Sequence, residues 1–214
     1  MTLLVNEIFY SIQGESLNAG RSCVFVRLSG CNLRCSYCDT AYAYEEGTSF
    51  SIREIIQKVE EFNCSLVEVT GGEPLLQAET AGLIRRFLDA GYKVMLETNG
   101  TLDVSCVDAR CMKILDVKCP SSGESSKNRA ENFKWLTTFD QVKFVIGNRT
   151  DYEYAKKTMG MLPEILPGSN ILFSPVWDLL PIKTLSEWIL QDNLPVRLHV
   201  QLHKVIWPDV MRGV

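Results

Sequence analysis

Residues 31–38 read CNLRCSYC and place Cys31, Cys35 and Cys38 in one short stretch. Closely spaced thiolates can bind three irons of a four-iron cluster. The fourth iron then has no protein ligand and is open to a small molecule. We therefore predict a reactive [4Fe-4S] cluster on this stretch.

The composition suits one folded domain over residues 1–214, since 46% of the residues are hydrophobic and 22% are charged. A net charge of -4 offers no basic surface for nucleic acid, and no apolar run is long enough to span a membrane. The first residues lack the basic start and apolar core of a secretion signal. We expect a cytoplasmic protein with reduced cysteines.

The remaining cysteines are scattered among apolar neighbours and are predicted to be core thiols, because free cysteine is often buried. They are Cys23, Cys64, Cys106, Cys111 and Cys119.

Short apolar runs alternate with amphipathic ones, which predicts an α/β fold with buried parallel strands. The predicted strands are Ser22–Leu28, Leu66–Thr70, Lys93–Thr98, Met112–Lys118, Gln141–Ile146, Asn170–Ser174 and Val196–Gln201. The predicted helices are Ser51–Phe62, with Ser51 and Glu54 as a capping box, and Gln77–Ala90, Asp151–Met161 and Lys183–Gln191.

The stretch between Thr98 and Met112 leaves room for only a short helix. The pattern therefore favours a partial, open TIM-like barrel of about six parallel strands, with some helices shortened or missing. In such a fold the loops after the strands carry the chemistry. The cysteine stretch, residues 71–74 (GGEP), residues 97–100 (ETNG) and residues 116–118 (DVK) all lie where a predicted strand ends.

An open cluster iron can bind the amine and carboxylate of a ligand such as the methionine end of S-adenosylmethionine. Gly71 and Gly72 allow backbone to approach such a ligand, and Glu73 offers an acceptor for its ammonium. The CxxxCxxC spacing with Tyr37, followed by GGEP, resembles the radical S-adenosylmethionine superfamily. The alternatives are a three-thiolate zinc site or a redox thiol cluster, with GGEP as an ordinary turn.

Further segments resemble the 7-carboxy-7-deazaguanine synthase family of queuosine biosynthesis. They are FYSIQGES at 9–16, FVRLSGC at 25–31, CDT at 38–40 and QLHK at 201–204. The resemblance implies a radical carbon–nitrogen lyase that converts 6-carboxy-5,6,7,8-tetrahydropterin to 7-carboxy-7-deazaguanine with loss of ammonia. A 5′-deoxyadenosyl radical is expected to remove the hydrogen at C6 of the pterin.

The resemblance also implies roles for individual positions. Cys31, Cys35 and Cys38 would bind the cluster, and Thr40 a magnesium ion that takes other oxygens from water and substrate. The expected S-adenosylmethionine contacts are Tyr37, Cys38, Asp39, Gly72, Glu73, Asp116, Val117, Lys118, Ser174, Pro175, Val176 and Trp177. The expected substrate contacts are Ile12, Gln13, Gly14, Glu15, Arg27, Thr70, His203 and the terminal Val214.

The implied partners are the small-molecule pterin and an electron donor such as flavodoxin or ferredoxin, and the implied assembly is a homodimer. Two other functions stay open on the sequence. A glycyl-radical-enzyme activase would share the cysteine stretch and GGEP, although residues 13–15 and Arg27 weigh against it. A non-enzymatic zinc-binding module would explain the cysteines alone.

Overall fold

A computed structural model describes residues 2–214 of the chain. Within that range, nine strands form one sheet. They are β1 Thr2–Ile12, β2 Ser22–Leu28, β3 Thr48–Ser51, β4 Leu66–Gly71, β5 Lys93–Thr98, β6 Met112–Val117, β7 Gln141–Ile146, β8 Ile171–Pro175 and β9 Arg197–Leu198. The helices are α1 Ile52–Glu60, α2 Thr80–Asp89, α3 Arg149–Met159, α4 Ile182–Gln191 and α5 Leu202–Ile206.

The sheet has the order β3-β1-β2-β4-β5-β6-β7-β8-β9, so that β3 and β9 are its edges. Strand β2 and strands β4 to β9 run parallel, whereas β1 pairs antiparallel with both β2 and β3. This is the open, partial barrel that the sequence predicts. The observed strand β9 is shorter than the predicted strand Val196–Gln201, because the chain turns into α5 shortly after Leu198.

Local signals and distant contacts set the helix boundaries. The predicted capping box of α1 is present, with Ser51 N–H donating to Glu54 Oε2 (2.7 Å) and Glu54 N–H donating to Ser51 Oγ (3.3 Å). Helix α2 begins at Thr80 rather than at the predicted Gln77. The Gln77 side chain instead bonds both backbone groups of Leu4 on β1, at 2.8 and 2.9 Å.

The crossover from β5 to β6 contains only a 3-10 turn, Val104–Cys106, in agreement with the predicted shortened helix. Cys106 lies on this turn and is exposed, so the prediction of a core thiol is wrong for this residue. Cys64, just before β4, is half-buried and packs against the edge of the core. Cys23, Cys111 and Cys119 are buried as predicted.

Side chains alternate across the sheet and separate two environments. Valines and leucines such as Val24, Val69 and Leu96 pack outward against the helices. On the inner face, a cluster of apolar side chains lies toward the amino ends of the strands: Phe9, Cys23, Phe25, Leu66, Met95 and Ile114. The inner positions nearer the carboxyl ends are therefore left for polar and charged side chains.

The capping box yields a test of the fold. Replacing Ser51 by Ala removes the acceptor for the Glu54 N–H and should lower the free energy of unfolding by about 1 kcal/mol, measured by urea denaturation. Ser51→Asn keeps an acceptor and is expected to stay within a few tenths of the unchanged protein. Equal losses in both variants would show that the cap does not stabilise α1.

Candidate active site

A cavity of about 620 Å³ opens at the carboxyl ends of the parallel strands. Most of the site residues that the sequence predicts line this cavity. They are Ile12, Gln13, Gly14, Glu15, Arg27, Cys31, Cys35, Tyr37, Cys38, Asp39, Thr40, Thr70, Gly72, Asp116, Lys118, Val176, Trp177, His203 and Val214. Glu73, Val117, Ser174 and Pro175 are not in its lining.

The cysteine loop, residues 31–38, follows β2 and is held by backbone contacts. Arg34 N–H donates to Glu124 Oε1 at 2.7 Å, and Ser36 N–H donates to the Ser122 carbonyl at 3.1 Å. These bonds fix the loop to the segment after β6. The loop conformation is thus set by protein contacts that leave its thiols facing the cavity.

The thiols fit a four-iron cluster. Cys31, Cys35 and Cys38 are all free and line the same cavity. The backbone N–H of Leu33 donates to Cys31 Sγ at 3.5 Å, a contact that stabilises a cluster thiolate. Among residues 2–214 no three His, Cys, Asp or Glu side chains are grouped to hold one metal ion. A cluster instead takes one thiolate on each of three irons.

The GGEP turn packs tightly beneath this loop. A Cβ on Gly72 would overlap the Gly30 carbonyl oxygen and come within 2.6 Å of Cys31 Cβ, so only glycine fits there. Glu73 is fully buried and accepts hydrogen bonds from the backbone N–H groups of Leu75 (3.0 Å) and Asn99 (2.7 Å). Burial raises the pKa of Glu73. The structure thus uses this carboxylate to join the ends of β4 and β5, outside the cavity lining.

Each of the two segments predicted to contact S-adenosylmethionine, residues 116–118 and 174–177, contains a buried side-chain oxygen without a hydrogen-bond partner in residues 2–214. Lys118 Nζ pairs with Asp116 Oδ2 at 2.9 Å, while Asp116 Oδ1 is buried without a hydrogen-bond partner in the described chain. Ser174 Oγ is likewise buried and unpartnered in residues 2–214. Unpaired buried oxygens are costly, so Asp116 Oδ1 is suited to accept from a bound ligand.

Residues 12–15 follow β1 and cross the open side of the barrel. The Gln13 side chain is occupied by the protein, since Nε2 donates to Glu68 Oε2 (2.6 Å) and Oε1 accepts from Glu15 N–H (3.0 Å). The Gly14 carbonyl accepts from Leu202 N–H of α5 at 2.9 Å. A Cβ on Gly14 would overlap the His203 ring. Gly14 therefore permits the close contact between both ends of the chain.

Arg27 lies on the inner face of β2 and lines the cavity. Its Nε pairs with Glu7 Oε1 at 2.7 Å, and Tyr42 OH donates to the same oxygen at 2.9 Å. This fixes the guanidinium by one edge. The terminal nitrogens are then oriented for a second anion, which suits the predicted contact with a carboxylate.

Thr40 and Asp39 form an oxygen-rich corner near the cysteine loop. Thr40 Oγ1 donates to Asp39 Oδ1 at 3.0 Å, and Lys204 Nζ of α5 pairs with Asp39 Oδ2 at 2.6 Å. Although burial opposes it, the charge of Lys204 lowers the pKa of Asp39. A hydroxyl beside a carboxylate is compatible with magnesium only if water or substrate supplies most of its ligands.

The C-terminal segment lies along the cavity. Trp207, Pro208 and Val214 line it, and Arg212 pairs with Glu46 Oε2 at 3.0 Å. Burial lowers the pKa of His203, against the opposing charges of Glu15 and Asp39, which favours the neutral imidazole.

Sequence reasoning missed a buried lysine. Lys143 Nζ on β7 pairs with Glu15 Oε2 at 2.7 Å and with Glu97 Oε1, and Asp116 Oδ2 lies 3.5 Å away. The available signal was a lysine between valine and phenylalanine in the strand QVKFVI, at an inward position. Its partners come from distant segments, which the sequence alone does not connect.

A family model described as the Radical SAM superfamily matches residues 25–178. A 7-carboxy-7-deazaguanine synthase of Chlorobaculum tepidum is 47% identical over 99% of this chain and 97% of its own length. A 7-carboxy-7-deazaguanine synthase of Koribacter versatilis is 41% identical over 98% of this chain and 99% of its own length. The crystal structure of QueE from Escherichia coli superposes with a TM-score of 0.79 at 21% identity, covering 95% of each chain, which supports the fold.

The open barrel, the cysteine loop and the family match define a radical SAM enzyme. The relatives identify the family within this superfamily: the chain belongs to the 7-carboxy-7-deazaguanine synthase family. Membership confirms the predicted class, a radical SAM lyase of queuosine biosynthesis, and the predicted [4Fe-4S] cluster and S-adenosylmethionine. The magnesium ion and the roles of single residues stay predictions.

The described residues include no helix that is both long enough and apolar enough to cross a membrane.

The contact between Gly14 and His203 yields a test of the site. In Gly14→Ala the new methyl group would push the His203 ring and α5 away, and a displacement of this size should raise the KM for substrate about tenfold or more. Iron content should not change, because the cysteine loop is untouched.

Gly82→Ala is the control, since its Cβ would come no closer than 3.8 Å to another side chain. A KM for Gly14→Ala equal to that of this control would contradict the assigned contact.

Proposed function

We propose that the chain converts 6-carboxy-5,6,7,8-tetrahydropterin to 7-carboxy-7-deazaguanine with release of ammonia. The observation that carries the proposal is the meeting of residues 12–15, Arg27 and the C-terminal segment in the cavity that the cysteine loop also lines. The names of the relatives supply the product. The cavity supplies groups that match a flat, carboxylated heterocycle.

Cys31, Cys35 and Cys38 would hold the cluster, and Gly72, Asp116 and the residues around Tyr37 would hold S-adenosylmethionine. When bound, these groups supply a 5′-deoxyadenosyl radical that removes a hydrogen atom, here the one at C6 of the pterin. The chain does the positioning. Asp116 Oδ1, buried and unpartnered in residues 2–214, is available to accept from a ligand hydroxyl.

On the substrate side, the Glu7-held guanidinium of Arg27 would bind the pterin carboxylate. The backbone of residues 12–14 would meet the edge of the ring, since the Gln13 side chain is already bonded to Glu68. Thr40 would contribute one oxygen to magnesium, with the pterin carboxylate and water completing its shell. His203 and the Val214 carboxylate would close the cavity over the substrate.

The edge strands β3 and β9 leave unpaired backbone groups, which supports a homodimer that covers one of them. An external protein such as flavodoxin or ferredoxin would supply the electron. Sedimentation equilibrium giving a monomer at micromolar concentration would argue against the dimer.

The direct test is anaerobic turnover. Iron-reconstituted protein with S-adenosylmethionine, dithionite, magnesium and the carboxypterin should release a carboxydeazaguanine and ammonia in equal amounts. Formation of 5′-deoxyadenosine alone, without that product, would refute the proposed substrate. Appearance of a glycyl radical on an added protein would instead support the activase alternative.

The first variant concerns the cluster. Cys35→Ala removes an iron ligand and should abolish both the cluster absorption near 400 nm, about where iron–sulfur charge transfer lies, and turnover. Cys106→Ala is the matched control, because that thiol is exposed and is not in the cavity lining. Full iron content with normal turnover in Cys35→Ala would remove Cys35 from the ligand set.

The second variant concerns magnesium. Thr40→Ala should raise the magnesium concentration for half-maximal turnover about tenfold, since one oxygen ligand is lost. Thr48→Ala on β3, which does not line the cavity, should leave the titration unchanged. Superposable titrations of both variants and the unchanged enzyme would show that Thr40 does not contact the ion.

A further inference from the structure

Lys143 occupies the centre of a buried charge network on the inner face of the sheet. Its side chain is 5% exposed, and its ammonium contacts carboxylates from the loop after β1 (Glu15), from β5 (Glu97) and from β6 (Asp116). The other charged or titratable groups around this network are Arg27 on β2, Glu68 on β4, Lys118 directly after β6, and His199 and His203 after β9.

The carboxylates differ in how fully the protein satisfies them. Glu15 uses both oxygens, since Oε1 accepts from Gln201 Nε2 at 2.9 Å and Oε2 pairs with Lys143. Glu97 uses only Oε1, bonded to Lys143; in the described chain its Oε2 accepts no hydrogen bond. The Glu97 side chain is 23% exposed and lines the cavity. Glu97 therefore presents a free acceptor to any ligand in the cavity.

The local charge is also unbalanced. Asp116 is compensated by Lys118, so that Lys143 is the ammonium shared by Glu15 and Glu97. Arg27 also lies within electrostatic range of Glu97, but its charge is paired with Glu7. Two carboxylates with one ammonium therefore leave a net negative charge beside the free oxygen of Glu97. Such a site favours a ligand with N–H donors over one with acceptors or an anion.

We propose that Lys143 is a positioning residue that holds the side chains of Glu97 and Glu15 in place, so that Glu97 binds N–H donors on the ring of the pterin. The inference rests on the proposed function and deepens it. It names Glu97 as the residue that recognises the ring of the substrate, whereas Arg27 recognises the carboxylate. Arg27 on β2 lines the same cavity, two strands away from Glu97 in the sheet, and would take the anionic end of the same ligand.

The electrostatics agree with this role. Burial raises the pKa of Glu97, and Lys143 opposes that rise. Burial likewise works against ionised Glu15, but the charge of Lys143 lowers its pKa. Removing the ammonium would therefore raise the pKa of both carboxyls. A protonated Glu97 loses the charge that strengthens its hydrogen bonds from N–H groups.

The test measures binding of the carboxypterin to the anaerobic, iron-reconstituted enzyme with S-adenosylmethionine, by equilibrium dialysis between about pH 6 and about pH 9. Lys143→Met keeps the length of the side chain and should raise the Kd about tenfold or more at the lower pH. The Kd should fall again as pH rises and Glu97 ionises. Lys143→Arg should retain most of the affinity, and Glu97→Gln should bind weakly without this pH dependence.

Lys113→Met is the matched control. Lys113 is also buried in an ion pair, with Asp140 at 3.0 Å, but neither residue lines the cavity. This variant should lose stability without a change in the Kd. Kd values are taken on the folded, iron-loaded fraction, so general destabilisation does not imitate the effect. If Lys143→Met does not fold, the Kd values of Glu97→Gln and Lys143→Arg still test the proposed role of Lys143.

The possible outcomes separate the two proposals. No binding of the carboxypterin to the unchanged enzyme would refute the proposed function. Binding and turnover by the unchanged enzyme, together with an unaltered, pH-independent Kd in Lys143→Met or an unaltered Kd in Glu97→Gln, would overturn the role of Lys143 alone. A raised Kd that does not recover with pH would show a packing role and would also overturn it.

Discussion

The ammonium of Lys143 and the carboxylates around it are the interaction on which the interior of this barrel depends. Strand alternation sends apolar side chains outward to the helices and leaves Glu97, Asp116 and Lys143 on the inner face. Charges removed from water must be paired or they cost several kcal/mol each, on the order given by mutational studies. The network satisfies most of them and leaves specific oxygens facing the cavity.

Two different parts of the chain build the two halves of the site. Strand ends supply the cysteine loop, the GGEP turn and Asp116, which suit the cluster and S-adenosylmethionine. The open side of the barrel is closed by residues 13–15 and α5, joined through Gly14 and Leu202. The half common to the superfamily thus lies on the sheet, and the half that we assign to the pterin is formed where the two ends of the chain meet.

Much of this could be predicted because the signals are local. The parallel strands are short runs rich in Val, Ile, Leu and Phe, the capping box is a four-residue pattern, and the cysteine spacing is short. The start of α2 could not be predicted, since Gln77 is drawn out of the helix by hydrogen bonds to Leu4, far away in sequence.

The charge network was missed for the same reason. Lys143 is one lysine in an apolar strand, and its importance comes from residues 128 and 46 positions away, Glu15 and Glu97. The position of Glu73 is a further example. GGEP predicts a ligand-facing carboxylate, but the Asn99 N–H and other donors hold it beneath the loop.

We propose that the chain aligns C6 of a carboxypterin with a radical generated at the cysteine loop. Turnover of substrate deuterated at C6, followed by mass spectrometry of the 5′-deoxyadenosine, tests this most directly. We expect deuterium to appear in 5′-deoxyadenosine as product forms. Product accompanied by 5′-deoxyadenosine without deuterium would contradict it.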